Sequence, residues 1–350
     1  MPDGPFIEES GSVLRRGTAR ALELMAVTPA TRPLLSMVQR WRGHQSFGVL
    51  TYHRIGGEAD PFFTGVSIRR FECQMIRLAA AYNVLPLTEL LARAESGTLP
   101  PAAVGITFDD NYASVHDAAW PIMRGLGLSG MVFVPTGPLI GTGTLWYDRV
   151  SHAFKHATAR GLGELGLRGI DHSRLDTVPR RVRARDRAMA LLRTLPEPER
   201  DDTVETLEKA LRPSTAWRDE PALEMGSIDR LRTAVTQGLE VGSHSVTHPI
   251  FSRLERLRVR SELRESRGHL EGWLQRDIET FAYPNGTAAD YGAETIEELE
   301  SAGYRHAFCT QTGLNREDWR QHRYALLRND ATETTAPRLV LRLAALTLAA

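Results

Sequence analysis

The sequence predicts an α/β fold built on a parallel sheet, either closed into a barrel or opened as a doubly wound sheet. Three observations lead there. Eight short apolar runs rich in β-branched residues recur along the chain, and amphipathic helical stretches separate most of them. The runs are continuously apolar rather than alternating, the pattern of strands covered on both faces. Spacing by itself does not choose between barrel and open sheet.

Taken in order, residues 1–45 carry partly periodic leucines (Leu14, Leu22, Leu34, Leu35) broken by Pro29 and Pro33, and read as an N-terminal helical extension. The apolar runs follow within residues 46–335: FGVLTYH, NVLPL, VGITFDD, GMVFVP, LEVGSH, ETFAYP, HAFCT and YALLRND. Ser67 is an N-cap candidate for a helix aligning Phe71, Met75 and Leu78, and Ser227 for one that stops at Gly238. Residues 148–225 break the rhythm. They show no strand pattern, are highly charged and read as a helical insertion after the fourth strand, placed where a lid would sit. Their arginine cluster is read as a solvated helix face rather than a polyanion site. Residues 336–350 form a C-terminal helical tail, a docking helix or an interfacial anchor, too short to span a bilayer.

Composition narrows the function classes. The 350 residues are 42% hydrophobic and 25% charged, with 43 basic and 43 acidic side chains, so no global field draws nucleic acid or an anionic membrane. Cys73 and Cys309 are the only cysteines, which excludes a disulfide framework and a cysteine-based zinc site; a metal would rest on His and carboxylates. The opening MPDGPFIEES lacks the features of a secretory signal, and a cytoplasmic location is the expectation, with peripheral membrane association through the tail as the variant. Oligomeric state is not legible.

Polar residues collect at the C-terminal ends of the runs: His53, Asp109 with Asp110, His244, Tyr283, and Arg328 with Asp330. Parallel α/β folds open that edge onto one face, so distant residues converge there. His244 and His248 are spaced to reach one ion if the chain turns between them; the alternative is a pair of surface or capping histidines. The paired Asp can be an Asx-capped turn, or can divide its labour, one carboxylate binding a cation and the other taking a proton from water. Two His and one Asp leave coordination positions open, the composition of a catalytic zinc site. Tyr112, Trp146, Tyr147 and Tyr283 fall near strand ends or in the loops that follow, where each singly is read first as packing.

These motifs resemble the polysaccharide deacetylases, the NodB-homology domain of carbohydrate esterase family 4. TFDDN at Thr107–Asn111 is similar to the family's Thr-Phe-Asp-Asp-Gly, and HSVTH at His244–His248 to its His-Ser/Thr-x-x-His. YHRI, LWYDRV and FAYPNG look like stretches of one branch. The resemblance implies a distorted (β/α)7-type barrel, Asp109 as catalytic base, and Asp110, His244 and His248 as ligands of a divalent metal, Zn²⁺ by the softness of the imidazoles. It implies an N-deacetylase of GlcNAc-type oligo- or polysaccharide, with Asn285, Tyr283, Tyr112, Trp146, His53 and Arg328 as oxyanion or substrate residues. Asn111 replaces the family's Gly, and Ala282 stands where an Arg usually orients the base. His306 and His322 are positional candidates for the general acid. A deformylase, another small-amide hydrolase and an inactive carbohydrate-binding protein are the alternatives; a Mg²⁺ phosphohydrolase fits the histidines poorly.

Overall fold

The computed structural model describes residues 46–57, 60–141, 143–167, 169–332 and 334–348, together with Pro33 and Met37. The expected N-terminal extension lies outside the described residues.

Each of the eight apolar runs contains a strand: β1 (Phe47–Tyr52), β2 (Asn83–Val84), β3 (Ala103–Phe108), β4 (Met131–Val134), β5 (Glu240–Ser243), β6 (Thr280–Ala282), β7 (His306–Phe308) and β8 (Asn329–Asp330). All pairings between them are parallel, in the order β7-β6-β5-β4-β3-β1-β8, with β2 flanking β3. β1 and β3 are buried along their whole length, as continuous apolar runs require.

One segment links the two ends of this order. Ala307 N donates to Arg323 O (2.8 Å), Leu326 N to Ala307 O (2.9 Å) and Cys309 N to Leu326 O (2.9 Å), so residues 323–326 lie along β7. Three residues later Asn329, and then Asp330, pair with Leu50 and Thr51 of β1. The sheet therefore curls into a barrel-like ring with surrounding helices, which decides between the two architectures left open by the sequence.

The helices follow the signals read from the sequence. α1 (Ile68–Ala81) is capped by Ser67, whose hydroxyl accepts from Arg70 N, and buries Phe71, Met75 and Leu78. α2 (Leu87–Ser96) and a short α3 (Trp120–Gly125) complete the first half. Within 146–225 lie α4 (Trp146–Lys155), α5 (Val178–Leu192) and α6 (Glu197–Leu211), which share an apolar cluster apart from the barrel cores, including Phe154, Ala188, Leu192 and Leu207. α7 (Ile228–Thr236) is capped by Ser227; α8 (Arg256–Leu274) and α9 (Ala293–Ser301) follow. α10 (Ala336–Leu348) packs on α1, burying Leu339, Val340 and Leu343, and Tyr82 Oη donates to Val340 O (3.2 Å). No described helix is long and apolar enough to cross a membrane.

Gly242 sets how closely β5 approaches its neighbours just before His244. A Cβ there would lie 2.4 Å from the Phe133 ring and 2.6 Å from Thr280 Oγ1. Overpacking of this kind costs about 1–3 kcal/mol. Gly242→Ala is expected to lower the urea midpoint accordingly; an unchanged midpoint would show that the β4–β5–β6 layer yields easily.

Candidate active site

The turn after β3 delivers two carboxylates in different directions. Asp110 and Asn111 both adopt left-handed backbone (φ 72° and 56°), which flips the chain sharply between Asp109 and Tyr112. Asn111 meets the conformation expected of a Gly and adds two side-chain bonds, Nδ2 donating to Gly226 O (3.0 Å) and Oδ1 lying 2.8 Å from His116 Nε2, to the backbone bond in which its O accepts from Gly226 N (2.6 Å). The turn is thereby tied to the segment leaving the insertion.

The loop after β5 is held as firmly. Ser245 and His248 are also left-handed (φ 70° and 58°), and Ser245 Oγ accepts from His248 N (3.1 Å). Buried Glu262 on α8 accepts from Val246 N (2.7 Å), Thr247 N (3.0 Å) and Thr247 Oγ1 (2.8 Å), and pairs with Arg258 (2.7 Å). Backbone strain of about 1–3 kcal/mol per such residue persists only where the surroundings over-determine it.

Together these turns bring Asp110 Oδ1 to 3.5 Å from Nε2 of both His244 and His248, all three side chains being buried. His244 Nδ1 lies 2.7 Å from Ala282 O, so it carries the proton and presents the Nε2 lone pair to Asp110. Asp110 Oδ1 has no hydrogen-bond donor among the described residues. Ligand atoms around a tetrahedral zinc with bonds of ~2.0–2.1 Å stand roughly 3.3 Å apart, so the donor set and spacing fit such an ion. Burial opposes protonation of His244, but the adjacent Asp110 outweighs it and raises its pKa. Burial pushes His248 down to about 3, leaving it a neutral donor. A proton on His244 would satisfy one edge of Asp110; a cation would engage all three side chains.

Asp109 has a different environment. Its two oxygens accept from Arg328 Nη1 (2.7 Å) and Nη2 (2.8 Å), a bidentate pair in which both partners are buried. Burial raises the Asp109 carboxyl, but Arg328, His244 and His53 outweigh it and hold it below the usual range. Arg328 also donates to Cys309 O (3.0 Å), so it bridges β7 and the β3 carboxylate. The expectation that Arg328 meets substrate is corrected: it is fully buried and occupied by Asp109. An Arg therefore does stand against Asp109, although Ala282 occupies the position where the resemblance expects one; it comes from the residue before β8 instead of from β6.

A cleft of about 670 Å³ opens above these groups, lined by His53, Asp109, Asp110, His244, His248 and Asn285 on its floor and by Arg185, Met189 and Arg193 of the α5 region on one wall. His53 is 39% exposed, with Nε2 3.9 Å from Asp109 Oδ2. Asn285 is left-handed (φ 59°), its loop anchored by Thr310 Oγ1 donating to Asn285 O (2.9 Å), and its Nδ2 is buried without an acceptor among the described residues.

The aromatic expectations need revision. Trp146 is buried and its Nε1 donates to His248 O (3.2 Å), backing the histidine instead of meeting solvent. Tyr112 is buried, with Oη donating to Asp148 Oδ2 (2.8 Å). Tyr283 reaches the cleft, but its ring stacks on Tyr291 (3.8 Å) and its Oη donates to Tyr324 O (2.8 Å). A strand-end position does not give side-chain direction. His306 pairs with Glu95 (3.2 Å) and exposed His322 lies near Asp318 (3.6 Å); neither lines the cleft. The sequence reading gave no role to Arg54 and Asp148, an ion pair lining the cleft with Arg54 3.8 Å over the Tyr112 ring. Both lie in the stretches YHRI and LWYDRV, where a charge inside an aromatic segment is the one signal of them.

Comparison with known proteins agrees with this geometry. Over residues 194–307 the chain matches the polysaccharide deacetylase family. That span holds His244 and His248, while Asp109 and Asp110 precede it and reach the site through the fold. The deacetylase PplD of Streptococcus pyogenes, solved with acetate, superposes with a TM-score of 0.58 at 15% identity, over 86% of this chain and 98% of that one. IcaB from Ammonifex degensii gives 0.54 at 17% identity, over 85% and 97%. BC0361, a polysaccharide deacetylase from Bacillus cereus, gives 0.53 at 15%, over 86% and 69%. At these identities the likeness shows the fold, a NodB-like deacetylase barrel. No curated protein sequence matches the chain.

Removing one partner of a buried ion pair costs about 3–5 kcal/mol, because the other charge is left uncompensated. Asp109→Asn is expected to destabilise the protein on that scale in urea titration, and adding Arg328→Met should restore part of the loss. Because the folded carboxyl titrates below the unfolded one, the contribution is full above the unfolded value of about 3.9 and disappears as pH falls through the folded value. Equal stability of wild type and Asp109→Asn at pH 7 would contradict the pairing.

Proposed function

We propose that the protein is a divalent-metal-dependent N-deacetylase that removes the acetyl group from a GlcNAc-type sugar of an oligo- or polysaccharide. The observation that carries this is an ionised, Arg-held Asp109 beside the converging donors of Asp110, His244 and His248 on the floor of an open cleft. The family match over the histidine-bearing half supports the same reading.

A divalent cation held by Asp110, His244 and His248, Zn²⁺ by its donor set, would supply Lewis-acid polarisation of the acyl carbonyl and acidify a water toward a pKa of ~7. Asp109 keeps a second lone pair on each oxygen beyond those given to Arg328, and takes the proton as water attacks the carbonyl carbon. Arg328 keeps that carboxylate charged and fixes its orientation. The Asn285 backbone N–H and its unpartnered Nδ2 are the donors we assign to the developing oxyanion. His53, exposed in the cleft and next to Asp109, is the group we assign to protonate the leaving amine. The α5 wall bounds the cleft as a lid would. Arg328 beside Asp109 answers one of the two motives for an inactive sugar-binding protein, the missing Arg; the other, the unplaced acid, rests on the assignment of His53.

Acetate release from chitooligosaccharides by zinc-loaded protein tests this reading. Asp109→Asn is expected to lower kcat by roughly 10²–10⁴-fold, and formate release from N-formyl sugars without acetate release would instead favour the deformylase alternative. Loss of positioned acid catalysis costs a similar factor. His53→Gln should therefore lower kcat on acetylated amino sugars by roughly 10²-fold or more, and much less on 4-nitrophenyl acetate, whose leaving group needs no proton. Equal losses on both would remove His53 from that role.

A further inference from the structure

A second cavity of about 580 Å³ opens from the same floor. It shares His53, Arg54, Thr64, Asp110, Tyr147 and Arg193 with the first, then diverges toward Asp330, Thr332, Thr334 and Arg342, where β8 gives way to α10. Its character is set by which charges are already engaged. Arg54 is paired with Asp148, and Asp110 belongs to the histidine cluster. Arg193, just past α5, is exposed and has no ion-pair partner among the described residues. Arg342 gives Nη2 to the backbone O of Asp330, while its Nε is buried without an acceptor. The exposed Asp330 carboxylate accepts from Thr332 N (2.7 Å).

The first arm differs. Its Arg185 is engaged by Asp186 (2.7 Å) and by the carbonyls of Phe62 (3.1 Å) and Pro61 (3.0 Å), and it also contains Asp290. Arg193 stands where the two arms meet, and Arg342 lies in the second arm alone, so two guanidinium groups without an ion-pair partner among the described residues come together only there. Beyond Tyr147 that arm offers no phenyl or indole platform for a neutral sugar, but against the carboxylates of Asp110 and Asp330 it sets three arginines, of which only Arg54 is ion-paired, and three threonines, and guanidinium groups favour carboxylate and phosphate oxygens.

We propose that the Arg193–Arg342 arm binds an anionic group, a carboxylate or a phosphate, carried by the substrate next to the sugar being deacetylated. The identity of that sugar rests on the deacetylase reading above; the anion preference does not. The test compares kcat/KM for acetate release from three substrates: neutral chitotetraose, a tetrasaccharide alternating glucuronic acid with N-acetylglucosamine, and UDP-N-acetylglucosamine. At least one anionic substrate should exceed the neutral one by about tenfold at low salt, and which one does so distinguishes carboxylate from phosphate. Arg193→Glu should bring that ratio to one or below; comparing substrates within one variant cancels any loss of folded protein. Should the variant not fold, the wild-type ratio must itself collapse between low and high ionic strength, as screening demands. A neutral substrate preferred throughout, or a ratio unmoved by Arg193→Glu or by salt, overturns the proposal. If no substrate releases acetate, the deacetylase reading fails, and the arm is judged by competition of the same three compounds for a fluorescent uronate tetrasaccharide: displacement led by an anion and lost in Arg193→Glu supports it, and equal displacement by the neutral chain overturns it.

Discussion

Three lone-pair donors, one carboxylate oxygen and two imidazole nitrogens, are pressed together in a buried corner where they repel one another unless something positive joins them. Leaving a buried carboxylate oxygen without a donor is costly. The chain nevertheless holds Asp110 Oδ1 in that state with left-handed turns on two separate strand ends. Strain kept at such a place marks a site whose geometry serves a ligand.

Much of the remaining structure supports that corner. Glu262 gathers the amides of the His244–His248 loop, Trp146 backs His248 from the insertion, Ala282 O fixes the His244 tautomer, and Asn111 ties the carboxylate turn to residue 226. Asp109 stands one residue away under opposite conditions, its charge neutralised by a fork of hydrogen bonds from Arg328. Adjacent aspartates thus differ in environment because different strand ends supply their partners. One accepts a bidentate pair of bonds from a guanidinium, and the other faces the ring nitrogens of two imidazoles.

The strands were legible because parallel strands buried on both faces leave continuous apolar runs, and the caps at Ser67 and Ser227 because capping is local chemistry. HSVTH and TFDD were legible through their resemblance to family motifs, spacing alone having left a capping pair and an Asx turn open for them. Arg328 was misread because its partner Asp109 lies 219 residues away, and the segment that joins β7 to β1 brings them together only after the barrel curls. Trp146 and Tyr112 were misassigned to the rim because strand-end position says nothing of whether a ring turns inward. Arg54 with Asp148, and Glu262 with its loop amides, depend on pairings across elements that one sequence does not disclose.

The central claim is that a single divalent cation joins Asp110, His244 and His248. Anomalous diffraction at the zinc absorption edge, from crystals grown with zinc, measures it directly. The account requires one strong peak bonded to a carboxylate oxygen of Asp110 and to Nε2 of both histidines, absent in His248→Ala crystals. Zinc bound elsewhere, or full acetate release by protein whose three side chains hold no metal, would contradict it.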